Sequence, residues 1–374
     1  MLFARKIKRS SPHALIMQRT IALLDIDYFY AQCELLRNPS LKGKPVVVIM
    51  PTIRENTGAV ATCNYEARAL KIRSGMSLSL AKKLSNVNTI FIKADKEYYK
   101  ELSSKVFGLI DFYCSKVEQV SIDEAYLDLT NPQGFEKAVE ACEKIKERIV
   151  SELGLTCSIG LSINKLIAKM ASEEKKPDGL FIVQANEVDS FIEKMVVGKI
   201  HGLGPKSVSI LKNEGISTVR ELKTLKKSRL IELFGEARGS MFYDFAQGRD
   251  DREIDTNREK QQTSRMMTLK TDSSSIEEMD ESLTLLCELV FNEVKKIKRV
   301  FLTCSIIIVT PKFETITKSK TLSEPIKSVE ELKRVEKQLL EAFMDESLQK
   351  VRRLGVRVSN FCEDYGFQKK LFDY

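Results

Sequence analysis

The sequence of 374 residues contains no tryptophan and only two histidines, His13 and His201. Its eight cysteines (Cys33, Cys63, Cys114, Cys142, Cys157, Cys287, Cys304 and Cys362) include no CxxC pair, so the usual zinc spacings are missing. Any metal must therefore be held by carboxylates. The cysteines read as reduced, small hydrophobes of a cytoplasmic protein. No charge-free run exceeds 12 residues, the longest being 153–164 and 300–311. A spanning helix needs about 18 apolar residues, so none is expected. Disorder and low complexity are also excluded, since 43% of residues are hydrophobic, 30% are charged and mean hydropathy is −0.20. The length leaves room for two to four domains, and no internal repeat is visible.

Acidic residues are missing from one place. Residues 1–20 carry Arg5, Lys6, Lys8, Arg9 and Arg19 without an acid, so they hold +5 of the net charge of +8. The remaining chain is nearly neutral, and bulk charge is a weak argument for nucleic acid. Residues 1–19 read as a basic extension. Its apolar part, Ala14 to Met17, is too short for a secretory signal. A start at Met17 would remove four of its charges.

What is present is patterned. Thr20 to Ile26 reads as a buried strand ending at Asp25, followed by an amphipathic segment from Tyr28 to Leu36. Lys96 to Cys114 and Phe135 to Leu153 have helical spacing, with SIDEAYLDL (Ser121 to Leu129) as a strand between them. Strands alternating with long helices over 20–180 predict an α+β domain. Residues 184–248 change to short helices with glycine turns, and 249–262 read as an exposed polar linker. The order strand, helix, strand, strand, helix, strand follows, a compact βαββαβ unit.

Two acidic groups stand out, LDIDYFYA (Leu24 to Ala31) and SIDEAY (Ser121 to Tyr126). An acid in a buried strand is costly unless paired or metal-bound, and Asp123 and Asp25 could meet on adjacent strands with Glu124 at the edge. Oxygen ligands alone suit Mg²⁺. Metal-dependent phosphoryl or nucleotidyl chemistry and surface acids on edge strands both account for these residues. In GAVATCNYEAR, Tyr65 and Arg68 share a helix face where both could grip phosphate, and Lys165 in SINKLIAK sits at a strand-to-helix junction. Taken alone, the first segment is better explained as an ordinary amphipathic helix with an exposed Arg, and lysines such as Lys165 are common on helices. HGLGPKS (His201 to Ser207) lacks the third glycine of a dinucleotide loop.

LDIDYFYAQCE, NPSLKGKPVVV, GAVATCNYEAR, SIDEAYLDL, GLSINKLIAKMAS and KKPDGL occur in the order and spacing of the Y-family translesion DNA polymerases. The chain resembles the DinB or DNA polymerase IV type, archaeal branch, from about Thr20 onward. The resemblance implies an α+β right hand. Its parts would be a ferredoxin-like palm (20–28 and 94–183), small fingers (29–93), a helical thumb with a helix-hairpin-helix (184–248), the linker, a βαββαβ little finger (263–361) and a clamp-binding tail (362–374).

By resemblance, Asp25, Asp123, Glu124 and the Ile26 carbonyl bind two Mg²⁺ ions. Tyr28, Phe29, Tyr30, Ala61, Thr62, Tyr65, Arg68 and Lys165 bind the nucleotide, with Tyr30 as the steric gate against ribose. Asp27 is expected to be structural. Gly202, Gly204 and Lys206 of the hairpin contact a DNA phosphate. On the last strand Arg353, Gly355, Arg357 and Ser359 alternate onto one face, suited to the DNA backbone. In QKKLFDY, Gln368, Leu371, Phe372 and Tyr374 resemble a sliding-clamp motif. The implied activity is low-fidelity, template-directed synthesis from dNTPs past damaged bases, without a proofreading exonuclease. The implied partners are primer–template DNA, dNTP and a sliding clamp, with no membrane and a monomer as catalytic unit. A nucleotidyl cyclase with a related palm would not need the hairpin or tail. A silent DNA-binding scaffold would not need the three acids.

Overall fold

The computed structural model describes residues 19–363, apart from Glu55, Pro132, Arg258 and Leu348. The clamp-tail residues Gln368, Leu371, Phe372 and Tyr374, and the extension before Arg19, lie outside the described residues. The chain runs β1 (Ile21–Ile26), α1 (Phe29–Arg37), β2 (Val46–Pro51), β3 (Gly58–Cys63), α2 (Tyr65–Ala69), α3 (Leu78–Leu84), β4 (Ile90–Lys93) and α4 (Lys96–Ile110). It continues through β5 (Val117–Gln119), β6 (Glu124–Asp128), α5 (Phe135–Leu153), β7 (Cys157–Ser162), α6 (Lys165–Ser172) and β8 (Leu180–Ile182). Short helices follow: α7 (Val188–Glu193), α8 (Pro205–Asn213), α9 (Val219–Lys223), α10 (Lys227–Phe234) and α11 (Glu236–Ala246). Last come β9 (Gln262–Ser273), α12 (Ile276–Lys296), β10 (Arg299–Val309), β11 (Thr315–Ile326), α13 (Val329–Glu346) and β12 (Val351–Glu363). Among these, no helix is long and apolar enough to cross a membrane.

The elements group into two compact units. The first holds 19–46, Thr62–Glu66 and Asp95–Asn257; the second holds Val47–Ala61, Ala67–Ala94 and 259–363. The expected fingers are thus shared, since 29–46 group with the first unit. In the first unit a five-stranded sheet has the order β5-β6-β1-β7-β8. Its first four strands form a βαββαβ core with β1 flanked antiparallel by β6 and β7. Because β1 is central, Ile21 to Leu24 are completely buried, which explains their unbroken apolar run.

In the second unit the sheet order is β11-β10-β12-β9, all antiparallel. Helix α12 buries Met279, Leu283, Leu286, Cys287, Val290 and Val294, spaced to form one stripe. Ser275 caps its first turn beside Glu277 and Glu278, and Lys295 and Lys296 end it, which complements the helix dipole. This stripe and the matching face of α13 pack on Cys304, Ile306, Leu354, Val356 and Val358. The opposite face carries Ser264, Thr268, Ser305, Arg353 and Arg357, as register and alternation require.

Candidate active site

The site forms at the end of β1. Asp25 lies directly across from Glu124 on one side and Ser158 on the other. The Ile26 N–H donates to the Asp123 carbonyl at 2.8 Å, which fixes the bend carrying Asp123 beside the strand end. The strand expected over Ser121 to Leu129 is shorter: β6 starts at Glu124 and Asp123 precedes it. The reason is local. Ser121 Oγ donates to Asp123 Oδ1 at 2.5 Å and accepts from the Asp123 N–H at 3.2 Å, which turns the backbone before the ladder begins.

Helix α6 crosses β7 closely at Gly160, where an added Cβ would stand 2.1 Å from the Ala168 carbonyl. This approach brings Lys169 over the acids. Its Nζ is 3.1 Å from Asp25 Oδ2 and 2.9 Å from Glu124 Oε1, and Lys176 Nζ is 2.8 Å from Asp25 Oδ2. Glu173 meets both ammonium groups, at 3.3 and 2.8 Å. Burial pushes the Asp123 and Glu124 carboxyls up, with the Asp25 charge adding to both. Burial would lower Lys169, but Asp25 and Glu124 hold it above its ordinary value.

Among the described residues, no three His, Cys, Asp or Glu side chains converge closely enough to hold a metal as they stand. Two of the acids are occupied by Lys169, and Asp123 is turned to Ser121. The donor chemistry nevertheless fits a hard cation. Asp25, Asp123 and Glu124 offer only oxygen, and a cationic nitrogen already lies between Asp25 and Glu124. Asp27 is different in kind. It is buried, and its carboxylate accepts from Ser158 Oγ at 2.7 Å, Thr156 Oγ1 at 3.0 Å and the Asp178 N–H at 2.8 Å. That is a structural role.

Tyr28 precedes α1 in the left-handed conformation (φ 36°) and gives the first-turn amides, beginning at Phe29, no capping side chain. Its ring meets Tyr65 edge-on at 5.4 Å. Tyr30 stacks on Tyr99 at 4.4 Å, and Tyr99 donates to Glu34 Oε1 at 2.6 Å. Burial and then the Asp123 charge raise the Tyr30 phenol, which places that ring beside the acids. Ala61 and Thr62 lie on β3, and Arg68 lies on α2 in the second unit.

Lys165, expected in the phosphate grip, is elsewhere. It is buried, donates to Glu118 Oε2 at 2.6 Å and to the Glu253 carbonyl at 3.3 Å, and lies 4.8 Å from the Tyr126 ring centre. Glu118 also accepts from the Asp255 N–H at 2.8 Å, and Asp250 accepts from the Leu166 N–H at 2.9 Å. The first half of the expected exposed linker is therefore bonded down, with Ile254 packed against Ile21, Leu23 and Tyr126. Sequence reasoning missed Lys169 and Lys176, although both lay inside quoted motifs; neither spacing nor residue type told them from Lys165.

Gly202 has φ +97°, Gly204 caps α8 and Lys206 lies in its first turn. Arg353 and Arg357 share the open sheet face with paired hydroxyls, Ser305 with Ser319 at 2.8 Å and Thr303 with Thr321 at 2.9 Å.

Residues 24–173 match the impB/mucB/samB family, and 260–371 match that family's C-terminal domain. DNA polymerase IV 1 of Methanosarcina mazei is 37% identical over 367 residues, covering 96% of this chain and 100% of its own. DNA polymerase IV of Nitrosopumilus maritimus is 37% identical over 361 residues, covering 95% and 99%. A solved Y-family DNA polymerase chimera built on Dbh has a TM-score of 0.87 at 28% identity, covering 92% of this chain and 100% of its own. The insertion ternary complex of Dbh DNA polymerase has a TM-score of 0.67 at 29% identity, with coverage of 92% and 100%. An acidic strand end in a βαββαβ core, joined to a second four-stranded domain, is the right-hand architecture of a Y-family polymerase, a class that uses divalent metal ions. The chain belongs to the impB/mucB/samB family and is a DNA-directed DNA polymerase.

Proposed function

We propose that this polymerase extends primers past damaged template bases, using Asp25, Asp123, Glu124 and the Ile26 carbonyl to hold two Mg²⁺ ions. The observation that carries the reading is the facing pair Asp25 and Glu124, with Asp123 tied beside them and Lys169 between them. Bound Mg²⁺ would supply charge to activate the primer 3′-hydroxyl and to balance the departing pyrophosphate.

The chain's own groups do the rest. Lys176, which now neutralises Asp25, is placed to meet phosphate oxygens of an incoming dNTP, in the role first expected of Lys165. The α1 amides after Tyr28, with Phe29, Tyr65, Arg68, Ala61 and Thr62, bind the nucleotide, and Tyr30 excludes ribose. Gly202, Gly204 and Lys206, together with Arg353 and Arg357, contact the primer–template backbone without reading sequence. Gln368, Leu371, Phe372 and Tyr374 dock a sliding clamp. The catalytic unit is a monomer that works in the cytoplasm.

Primer extension on undamaged, abasic and oxidised templates tests this reading, with and without a sliding clamp. Insertion opposite the lesion that follows template and metal supports it. Product formed without a template would point to a nucleotidyl cyclase instead.

A further inference from the structure

Within the second unit, Arg54 reaches a strand 215 residues later in sequence. Its Nε donates to the Leu269 carbonyl at 2.7 Å and its Nη2 to Asp272 Oδ1 at 2.6 Å. The receiving segment is irregular. β9 and β12 pair at Arg353↔Thr268 and again at Val351↔Ser273, so the four residues Leu269 to Asp272 oppose Arg352 alone. A bulge of this kind leaves backbone groups without ladder partners. Arg54 satisfies one of them and takes the carboxylate three residues further on.

Both sides of the contact are prepared. The Arg54 N–H donates to Thr52 Oγ1 at 3.3 Å, its carbonyl accepts from Thr57 Oγ1 at 2.9 Å, and the two threonine hydroxyls bond each other. The short loop therefore presents the guanidinium in one direction. Asp272 also lies 3.8 Å from Arg352 Nη1, and the Arg352 guanidinium sits 5.0 Å from the Phe313 ring centre. The Arg54 and Asp272 side chains retain 16% and 27% of their exposure, so the paired donors are partly shielded and stronger than an open surface pair.

We propose that Arg54 and the β9 bulge form a latch that makes segments 47–61 and 67–94 and the C-terminal βαββαβ domain one mechanical body, with Arg54 a positioning residue for primer–template binding. Residues 58–61 of β3 and the Arg353–Arg357 face belong to this unit, and the latch fixes their spacing. Arg54 itself touches neither substrate nor metal. The consequence for DNA rests on reading that sheet face as a DNA surface, whereas the latch can be measured with no DNA present.

The full chain is compared with Arg54→Ala, Asp272→Asn, the double variant, and the exchanged pair Arg54→Asp with Asp272→Arg. In DNA-free protein, amide hydrogen exchange over 269–272 should accelerate about tenfold in either single variant, and no further in the double. In primer extension the KM for primer–template should rise about three- to tenfold while kcat at saturating DNA stays within about twofold, and the exchanged pair should recover part of the loss. Should Arg54→Ala lose its fold, the isosteric Asp272→Asn carries the same comparison. Unchanged exchange in Asp272→Asn, or additive effects in the double variant, would overturn the latch. Faster exchange with an unaltered KM would overturn its role in DNA positioning while leaving the polymerase reading intact.

Discussion

Tyr30 lies on Tyr99 as on a shelf, the rings 4.4 Å apart and 21° from parallel, and the buried Tyr99 hydroxyl is tied to Glu34. A ring that excludes a 2′-hydroxyl must not yield, and this stack stiffens it. Tyr30→Ala is expected to lower the dNTP over rNTP ratio of kcat/KM by about a hundredfold. Tyr99→Leu, which keeps Tyr30 but removes the shelf, should lower it about three- to tenfold, the worth of an aromatic pair. Steady-state insertion of matched dNTP and rNTP checks both, and unchanged sugar discrimination in Tyr30→Ala would refute the gate.

The two aspartates of LDID should separate cleanly. Asp25→Asn and Asp123→Asn are expected to lower the rate of primer extension by about a thousandfold or more, and Asp123→Asn should cost little stability, since burial and the Asp25 charge already disfavour its carboxylate. Asp27→Ala should do the reverse. It strands two hydroxyls and an N–H and costs about 2–3 kcal/mol in urea melts.

Lys176 and Lys165 make a second contrasting pair. Lys176→Ala should raise the KM for dNTP about tenfold while the protein melts normally. Lys165→Met should instead cost about 3–5 kcal/mol, because Glu118 would be left buried without its partner. Adding Glu118→Leu should recover most of that loss. Equal effects of the two lysines on dNTP binding would contradict the assignment.

Glu336 on α13 predicts a pH dependence. It is completely buried, and burial pushes its pKa from 4.5 to about 8, opposed only by the Ser305 backbone. From the adjoining elements Cys287 of α12 and Cys304 of β10 face it. The folded state keeps a proton that the unfolded chain releases above pH 4.5, so stability is full below 4.5 and is lost as pH rises toward 8. The slope should approach about 1.4 kcal/mol per pH unit. Urea melts between pH 5 and 8 should show it, and Glu336→Gln should flatten it.

Much of this was legible in the sequence. Phe135 to Leu153 has the same limits as α5, and the order of the C-terminal strands and helices follows from period 2 and period 3.6 alone. The acids were legible because charge inside an apolar run needs a reason. What was not legible depended on contacts across the chain. Lys165, Lys169 and Lys176 look alike until Gly160 sets the depth of α6 and Glu118 claims the first of them. The polar stretch after residue 248 read as free because its partners, Glu118 and Leu166, are some 80 to 140 residues away. The β9 bulge depends on register, which no alternation pattern records.

Seven of the eight cysteines are buried, and burial pushes Cys33 and Cys157 up to about 12. Fewer than about one in ten thousand of those two thiols is ionised at neutral pH. Cys362, partly exposed near the end of β12, is the exception. A maleimide dye added to the unaltered protein should therefore settle on Cys362, giving a ready-made optical reporter on the strand that carries Arg353 and Arg357.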